Sequence, residues 1–451
     1  MKLNFQGIKG LFKGFSERKE GKAGAASYSA AFLSDEAYSL ITELHTLLGP
    51  RPSASKESKN AARHIADIFS KYKGKVTISS CKVYKDIGRY LVFFSLVISL
   101  LSSCLLLFNL SLAAIVLLFA FIYPASREFR KKNNILRRIF PTGEAVNVHS
   151  MIEPQGEVED TIIFSAHLDS AEIERGRGGW HAKIRKLIPA LSIAIASLLA
   201  LLELLLSLVS WDFSVSLPAI FIVVLVIVDL LLSGYGLYLA LKDKREFSPG
   251  SGDNLSGVAV VAELLRHFSF EMEQGRALRS TRLIFAIFDA EEIALQGSKA
   301  WYEKHRAYLV NARNINFDGL YKAEDLVFIT TDGNGLVKLS SSLSSTMSSI
   351  LSSMGYRTDV GKMGMFSGET DAASAALSGI EATTLTSMRP SAESPAHSRE
   401  DTPDKVERKA LLYAISSAIK LVDLVDGSKS GDDGERSFLE LDRKYKLTDQ
   451  S

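Results

Sequence analysis

Cysteine is nearly absent from this chain. Cys81 and Cys104 are the two among 451 residues, too few to expect a disulfide framework or a cysteine zinc site. Neither sign of charge is in excess. There are 53 Lys and Arg against 51 Asp and Glu, a net +2, which makes no case for a nucleic-acid partner. The opening "MKLNFQGIKGLFKGFSERKEGK" lacks the apolar run of a signal peptide. Instead Phe5, Ile8, Leu11, Phe12 and Phe15 recur at helical spacing between Lys2, Lys9 and Lys13. Residues 1–26 read either as a basic helix lying on a membrane surface or as a frayed tail. Residues 428–451 are polar and have a disordered composition.

Charge is missing altogether from one long stretch and sparse in another. Tyr90–Tyr123 carries none, and Leu187–Leu241 carries little. A bilayer core about 30 Å thick takes about 20 helical residues, so the second stretch reads as two spans joined near Asp212. The first would be about 50 Å long as one helix at ~1.5 Å per residue, too long for one span. A tight hairpin turning near Asn109 resolves this. Strand-like segments lie before, between and after the two stretches. If they share one sheet, each stretch must cross an even number of times, giving about four spans. Lys and Arg flank both stretches on their outer ends, and the tips near Asn109 and Asp212 carry none. The globular side is therefore expected to be cytoplasmic.

Outside these stretches the hydrophobic period alternates between two and 3.6 residues. "GKVTISSCKVY", "EAVNVHSMIE", "TIIFSAHLDS", "RLIFAIFDA", "NINFDG" and "LVFITT" read as strands. "SKNAARHIADIFSKY", "NLSGVAVVAELLRHF", "SKAWYEKHRAYL" and a serine-rich segment over 337–354 read as helices. The fold class is α/β, with a mixed central sheet flanked by helices and interrupted by two transmembrane hairpins. The expected division is 27–89, 125–186 and 242–427 for the globular domain, with hairpins over 90–124 and 187–241.

Five short motifs carry candidate chemistry. In "FSAHLDS", His167 and Asp169 share one face of a strand end. In "PGSGDNLSG", Asp253 and Asn254 open an apolar helix, where a helix cap is the plain alternative. "FDAEEIALQGS" places Glu291 and Glu292 at the end of an apolar strand, where α/β folds put ligand groups. Adjacent carboxylates that are buried repel each other unless a cation is present; a solvated helix start is the competing reading. Asp318 follows "NINF", and His397 sits in "SPAHSREDTPDKV" before a helix. Each motif alone is weak. Two histidines and several carboxylates at strand ends together match nitrogen and oxygen ligation of zinc.

In order and local sequence these motifs resemble the co-catalytic zinc aminopeptidase family. Its members include bacterial leucyl aminopeptidases, endoplasmic reticulum metallopeptidases, glutamate carboxypeptidase and glutaminyl cyclases. The resemblance starts at "LLGPRPSASKESKNAARHIADIF" and ends at "EDTPDKV". It implies a phosphorylase/hydrolase-like fold and two zinc ions, with other divalent metals as alternatives. Asp253 would bridge the ions, His167 and Asp318 would complete one site, and Glu292 and His397 the other. Glu291 would be the general base acting on a metal-bridged water, and Asp169 would orient His167 through its second ring nitrogen. "SGETDAASAALSGIEATTL" is similar to the segment contacting substrate, with Asp371 at its acidic position. That position is often followed in the family by an aromatic or His; here Ala372 follows, which leaves specificity open.

The function so implied is membrane-embedded zinc-dependent exopeptidase, most simply an aminopeptidase. Alternatives are a carboxypeptidase, a glutaminyl-cyclase relative, or a catalytically silent receptor or scaffold. The expected partners are a peptide substrate and a lipid bilayer, with homo-oligomer contacts available through the spans. A hairpin between the His167 and Asp253 motifs would bring the site near the membrane surface. Two acids inside the second apolar stretch, Glu203 and Asp229, stand out, because acids in a membrane are costly and mark function or helix contact.

Overall fold

The computed structural model describes residues 29–129, 142–173, 180–208, 217–242, 245–333, 335–364, 368–388 and 394–427. The amphipathic segment 1–26, the tip near Asp212, the polar tail and the side chains of Trp180 and His181 lie outside them.

Two helices open the described chain, α1 (Ala30–Leu48) and α2 (Lys56–Phe69). Ser55 starts α2 with a reciprocal capping box to Ser58, which satisfies backbone N–H groups that the first turn leaves free. Strand β1 (Lys75–Tyr84) follows, then an apolar hairpin of α3 (Ile87–Leu106) and α4 (Ser111–Phe129). The chain turns at Asn109, in left-handed conformation. Strands β2 (Thr142–Ile152) and β3 (Asp160–His167) precede a second hairpin of α5 (Trp180–Leu208) and α6 (Leu217–Lys242). The remainder alternates: α7 (Ser256–Glu273), β4 (Thr281–Phe288), α8 (Gln296–His305), β5 (Ala312–Asp318), β6 (Leu326–Ile329), β7 (Thr331–Asp332), β8 (Val337–Lys338), α9 (Ser341–Ser353), β9 (Asp359–Gly361), α10 (Asp371–Leu377), β10 (Glu381–Ser387) and α11 (Arg408–Gly427).

The main sheet has eight strands in the order β1-β2-β4-β3-β5-β10-β6-β9. Its centre, β4, β3, β5 and β10, is parallel. Strands β1 and β2 add to one side in antiparallel fashion. Every residue of β3 is buried, as a central strand covered on both faces requires. Alternate residues go to opposite faces. Ile162 and Phe164 join the core under α1, α2, α7 and α11, whereas Ile163 packs with Trp301 of α8 and Ala372 of α10. The mixed α/β class read from the sequence is the one observed. β9, the inner strand β10 and the two-stranded pairing of β7 with β8 have no counterpart in the sequence reading.

Among the described residues, three helical stretches are long and apolar enough to cross a membrane, Ile87–Leu106, Leu187–Leu208 and Ile220–Lys242. The stretch Ser111–Arg127 in α4 is apolar but shorter. Small residues line the contacts between these helices, among them Ser99, Ser103, Ala114, Ala196 and Ala200, all buried. Large apolar side chains face outward: Leu198, Phe119 and Leu231 are 66%, 68% and 69% exposed. Small inside and large outside is the packing pattern of helices in lipid.

Asp229 of α6 is fully buried and ties the two hairpins together. Its Oδ2 accepts from Ser99 Oγ at 2.9 Å and Ser103 Oγ at 2.7 Å, both on α3, and its Oδ1 accepts from Ser192 Oγ of α5 at 2.9 Å. Glu203 is buried without a hydrogen-bond partner for either oxygen. The two acids therefore do not pair with each other.

Candidate metal centre

The parallel strands β3, β4 and β5 all end on one edge of the sheet, and each end delivers a donor. His167 is the last residue of β3, and Asp318 the last of β5. Glu291 and Glu292 lie in the loop between β4 and α8, in which Ala290 is left-handed at φ 64°. Helix α8 begins only at Gln296, so the pair is not a solvated helix start: Glu291 is 7% exposed. Asp253 lies in a tight turn, Ser251–Leu255, ahead of α7. The capping role there falls to its neighbour, since Asn254 Oδ1 accepts from Gly257 N at 3.0 Å.

Asp253 sits at the centre. Its Oδ1 is 3.2 Å from His167 Nε2, and its Oδ2 is 3.2 Å from His397 Nε2. One carboxylate thus turns its two oxygens to two different histidines. Asp318 Oδ1 approaches His167 Nε2 at 3.4 Å, and Glu292 Oε2 approaches His397 Nε2 at 3.8 Å. The donors form three overlapping groups: His167–Asp253–Asp318, Asp253–Glu292–His397 and His167–Glu291–Glu292, each spanning no more than 4.8 Å. Glu292 enters the His397 group and Glu291 does not, which separates the two adjacent residues. Glu292 Oε1 is buried with no hydrogen-bond partner. Such an orphaned oxygen beside imidazole and carboxylate donors fits a divalent cation of zinc type.

Electrostatics give the same picture. Burial holds the Glu291 carboxyl well above its ordinary range, and pushes Glu292 up to about 8. Asp318 is raised for the same first reason, burial. For Asp253 burial also acts upward, but hydrogen bonds and charge from His167 and His397 overcome it and leave the group depressed. A cluster that must neutralise several of its own carboxyls is one that added cations would stabilise.

Asp169 is placed differently from the sequence expectation. The His167 Nδ1 contact is to the Asp169 backbone carbonyl at 3.0 Å, with the carboxylate at 3.5 Å. The carboxylate instead accepts from Ser53 Oγ at 2.6 Å and from the backbone N–H of Glu291 at 3.3 Å and Glu292 at 3.2 Å. It orients the Glu291–Glu292 loop as well as its own histidine. Asp371, in the first turn of α10, is fully buried, and neither carboxylate oxygen has a partner. Burial pushes it up to about 7. It is enclosed near enough to Glu291 for its charge to act on that group.

Several supporting residues lie in the quoted motifs without a role having been assigned to them. Asp401 accepts from Gly252 N at 2.7 Å and Asp253 N at 3.2 Å, so it fixes the turn that carries the central carboxylate. Arg51 is fully buried and donates to the carbonyls of Leu168, Gly49, Pro249 and Gly250. It stitches the β3 exit to the Asp253 turn. Asp289 accepts from Ala54 N, Ser58 Oγ and Val146 N, holding α2 and β2 against the β4 exit.

The sequence model of peptidase family M28 matches residues 237–422. That segment holds Asp253, Glu291, Glu292, Asp318 and His397; His167 and Asp169 lie across the second hairpin. Among solved structures of similar fold is a Bacteroides thetaiotaomicron glutaminyl cyclase bound to N-acetylhistamine. It is 13% identical, with 88% of this chain and 99% of that chain covered at a TM-score of 0.51. A leucine aminopeptidase precursor from the same organism is 14% identical, covering 86% and 96% at 0.50. A zinc aminopeptidase from Bacillus subtilis is 14% identical, covering 86% and 95% at 0.50. At these identities the structures speak for the fold. The sequence match over 237–422 makes that segment similar to peptidase family M28, and the fold and the converging donors agree with that similarity.

Proposed function

We propose that this chain is a membrane-embedded zinc exopeptidase, an aminopeptidase removing N-terminal residues from peptides. The observation that carries the reading is Asp253, whose two oxygens each face a histidine of a different donor group. His167, Asp253 and Asp318 would hold one zinc ion, and Asp253, Glu292 and His397 the other. When bound, the ions would supply the Lewis acidity and the lowered water pKa that peptide hydrolysis needs. Glu291 takes the proton from the attacking water and returns it to the leaving amine. Its burial, which disfavours the charged form, suits it to hold that proton between the two steps. Asp169 keeps Glu291 and Glu292 in register through their backbone N–H groups. Asp371 acts from its enclosed position by helping burial to raise the Glu291 carboxyl. The apolar helices form two hairpins of two spans each, with the globular unit on the cytoplasmic side, where the basic flanks lie.

The test is metal analysis of the purified chain, paired with hydrolysis of an aminoacyl-nitroanilide panel. Glu291→Gln should keep its zinc and lose activity by roughly 10²–10⁴-fold. An undiminished rate in that variant would remove Glu291 from the role of base. A chain that binds no metal would point to a silent scaffold. Cyclisation of an N-terminal glutaminyl peptide without nitroanilide hydrolysis would favour the cyclase reading.

A further inference from the structure

Both apolar hairpins leave the sheet at the edge that carries the donors. β4 ends at that edge. β2 runs antiparallel to β4, and Val146 near its start donates to Asp289 just past the β4 end. β1 is antiparallel to β2, and its last residue, Tyr84, pairs with Thr142. The exit of β1 into α3 is therefore on the donor edge. The second hairpin departs after Asp169 and returns just before Asp253, and its two strands of chain are joined where Glu172 pairs with Phe247.

The roots of the hairpins are fastened to the donor loops themselves. Gln296 follows the Glu291–Glu292 loop. Its Oε1 accepts from Tyr84 N at 2.8 Å, and its Nε2 donates to Tyr84 O at 2.9 Å. Arg245 bonds both Asp86, at the first root, and Glu172, at the second. Arg399, two residues past His397, bonds Glu246 beside the second root. Four residues lie between His167 and Glu172, and five between Phe247 and Asp253. At ~3.3–3.6 Å per extended residue, the donors are within about 20 Å of the Glu172–Phe247 bridge, which lies between them and the second hairpin.

We infer that the site works on polypeptide N-termini presented at the bilayer surface, its substrates being peptides anchored in the same membrane. This rests on the membrane-embedded aminopeptidase reading above. A site held on the edge from which both hairpins depart sets a reach. An anchored peptide needs a spacer long enough to bring its N-terminus from the bilayer surface to the donors. A shorter spacer cannot span the gap. A much longer one dilutes the N-terminus, because effective concentration is greatest where linker length matches the span and falls beyond it. Anchored substrates should thus show a peaked dependence on spacer length that free peptides lack.

The test reconstitutes the full chain with zinc in phosphatidylcholine vesicles. It measures release of the N-terminal residue from one peptide carried on acyl anchors through Gly-Ser spacers of about 2, 8, 16 and 40 residues. The unanchored peptide and an aminoacyl-nitroanilide run beside it. Hydrolysis should peak at the 8- or 16-residue spacer, at least tenfold above the unanchored peptide at equal bulk concentration, and decline at 40. Nitroanilide turnover with rates flat across all spacers would overturn the membrane-surface substrate and leave the aminopeptidase standing. The absence of any turnover, nitroanilide included, would overturn both. As a check that reach and not partitioning sets the peak, vesicle binding of the four anchored peptides is measured directly; a rate profile that merely follows binding also overturns the inference.

Discussion

Two carboxylates show how differently a buried acid can serve the same site. Asp253 faces the histidines, whereas Asp401 faces away from them and accepts the backbone N–H groups of Gly252 and Asp253. Removing that acceptor's charge should loosen the turn without removing a donor. Asp401→Asn is expected to weaken zinc binding by 10–100-fold, the range found for groups that orient ligands, while α-helical content stays unchanged. Competition with a chromophoric chelator reads the affinity, and circular dichroism the fold. Unchanged affinity would mean that the turn holds its shape unaided. The ligands themselves were legible in the sequence because each stands in a short local motif at a strand end. Asp401 and Arg51 were not. Their partners are 149 and 117 residues away, and nothing local distinguishes a carboxylate that will cap a distant turn from one in solvent. The side of Asp169 that faces His167 was likewise beyond a two-residue spacing, which cannot tell a backbone oxygen from a side-chain one.

At the scale of elements, α8 packs on β2 through a ring cluster with its own pH dependence. Trp301 Nε1 donates to His149 Nδ1 at 3.2 Å, and His305 stacks on Trp301 with centroids 4.4 Å apart. Burial, then the charges of His305, Lys304 and Lys75, pull His149 down to about 4. A histidine depressed on folding stabilises above its unfolded pKa of ~6.5 and loses that contribution as pH falls through the folded value. The window is thus pH 6.5 down to about 4, and the loss is at most about 3 kcal/mol. The thermal midpoint should fall across this range in the wild type and fall less in His149→Asn, which keeps an acceptor for Trp301. Equal slopes would place the acid sensitivity elsewhere, for instance at buried His267. Elements with a clear period, such as β3 and α7, could be read from the sequence. β9, three residues on an edge, is too short to show a period of two. The turn at Asn109 was legible, since an apolar run too long for one span has to fold back.

The whole molecule is one α/β layer structure whose apolar helices meet around Asp229. Two stretches of the chain, far apart in sequence, share one carboxylate through Ser99, Ser103 and Ser192. The sequence reading expected two hairpins of two spans each, and among the described residues three of their helices are long enough to span; their union around Asp229 was not legible, because serines in apolar helices look alike until a partner is known. That both hairpins rise from the donor edge was also hidden. It depends on strand order and direction, which alternating patterns leave undetermined.

The pairing of Tyr84 with Thr142 has a practical corollary. Residues that face each other across an antiparallel ladder can be joined by a two-residue turn, so everything from 85 to 141 is topologically a loop. The same holds for 174–244, since Ile173 N already bonds Glu246 O at 2.8 Å. Replacing the first with Asn-Gly and the second with a short Gly-Ser joint should leave a detergent-free, monodisperse peptidase unit. It should bind zinc and split soluble nitroanilides, yet treat anchored and free peptides alike. Gel filtration without detergent and the spacer series would show it, and an aggregated product would mean that the helices shield the unit as well as moor it. If the apolar hairpins lie in a bilayer as proposed, they are a detachable mooring for the α/β unit that carries the donors.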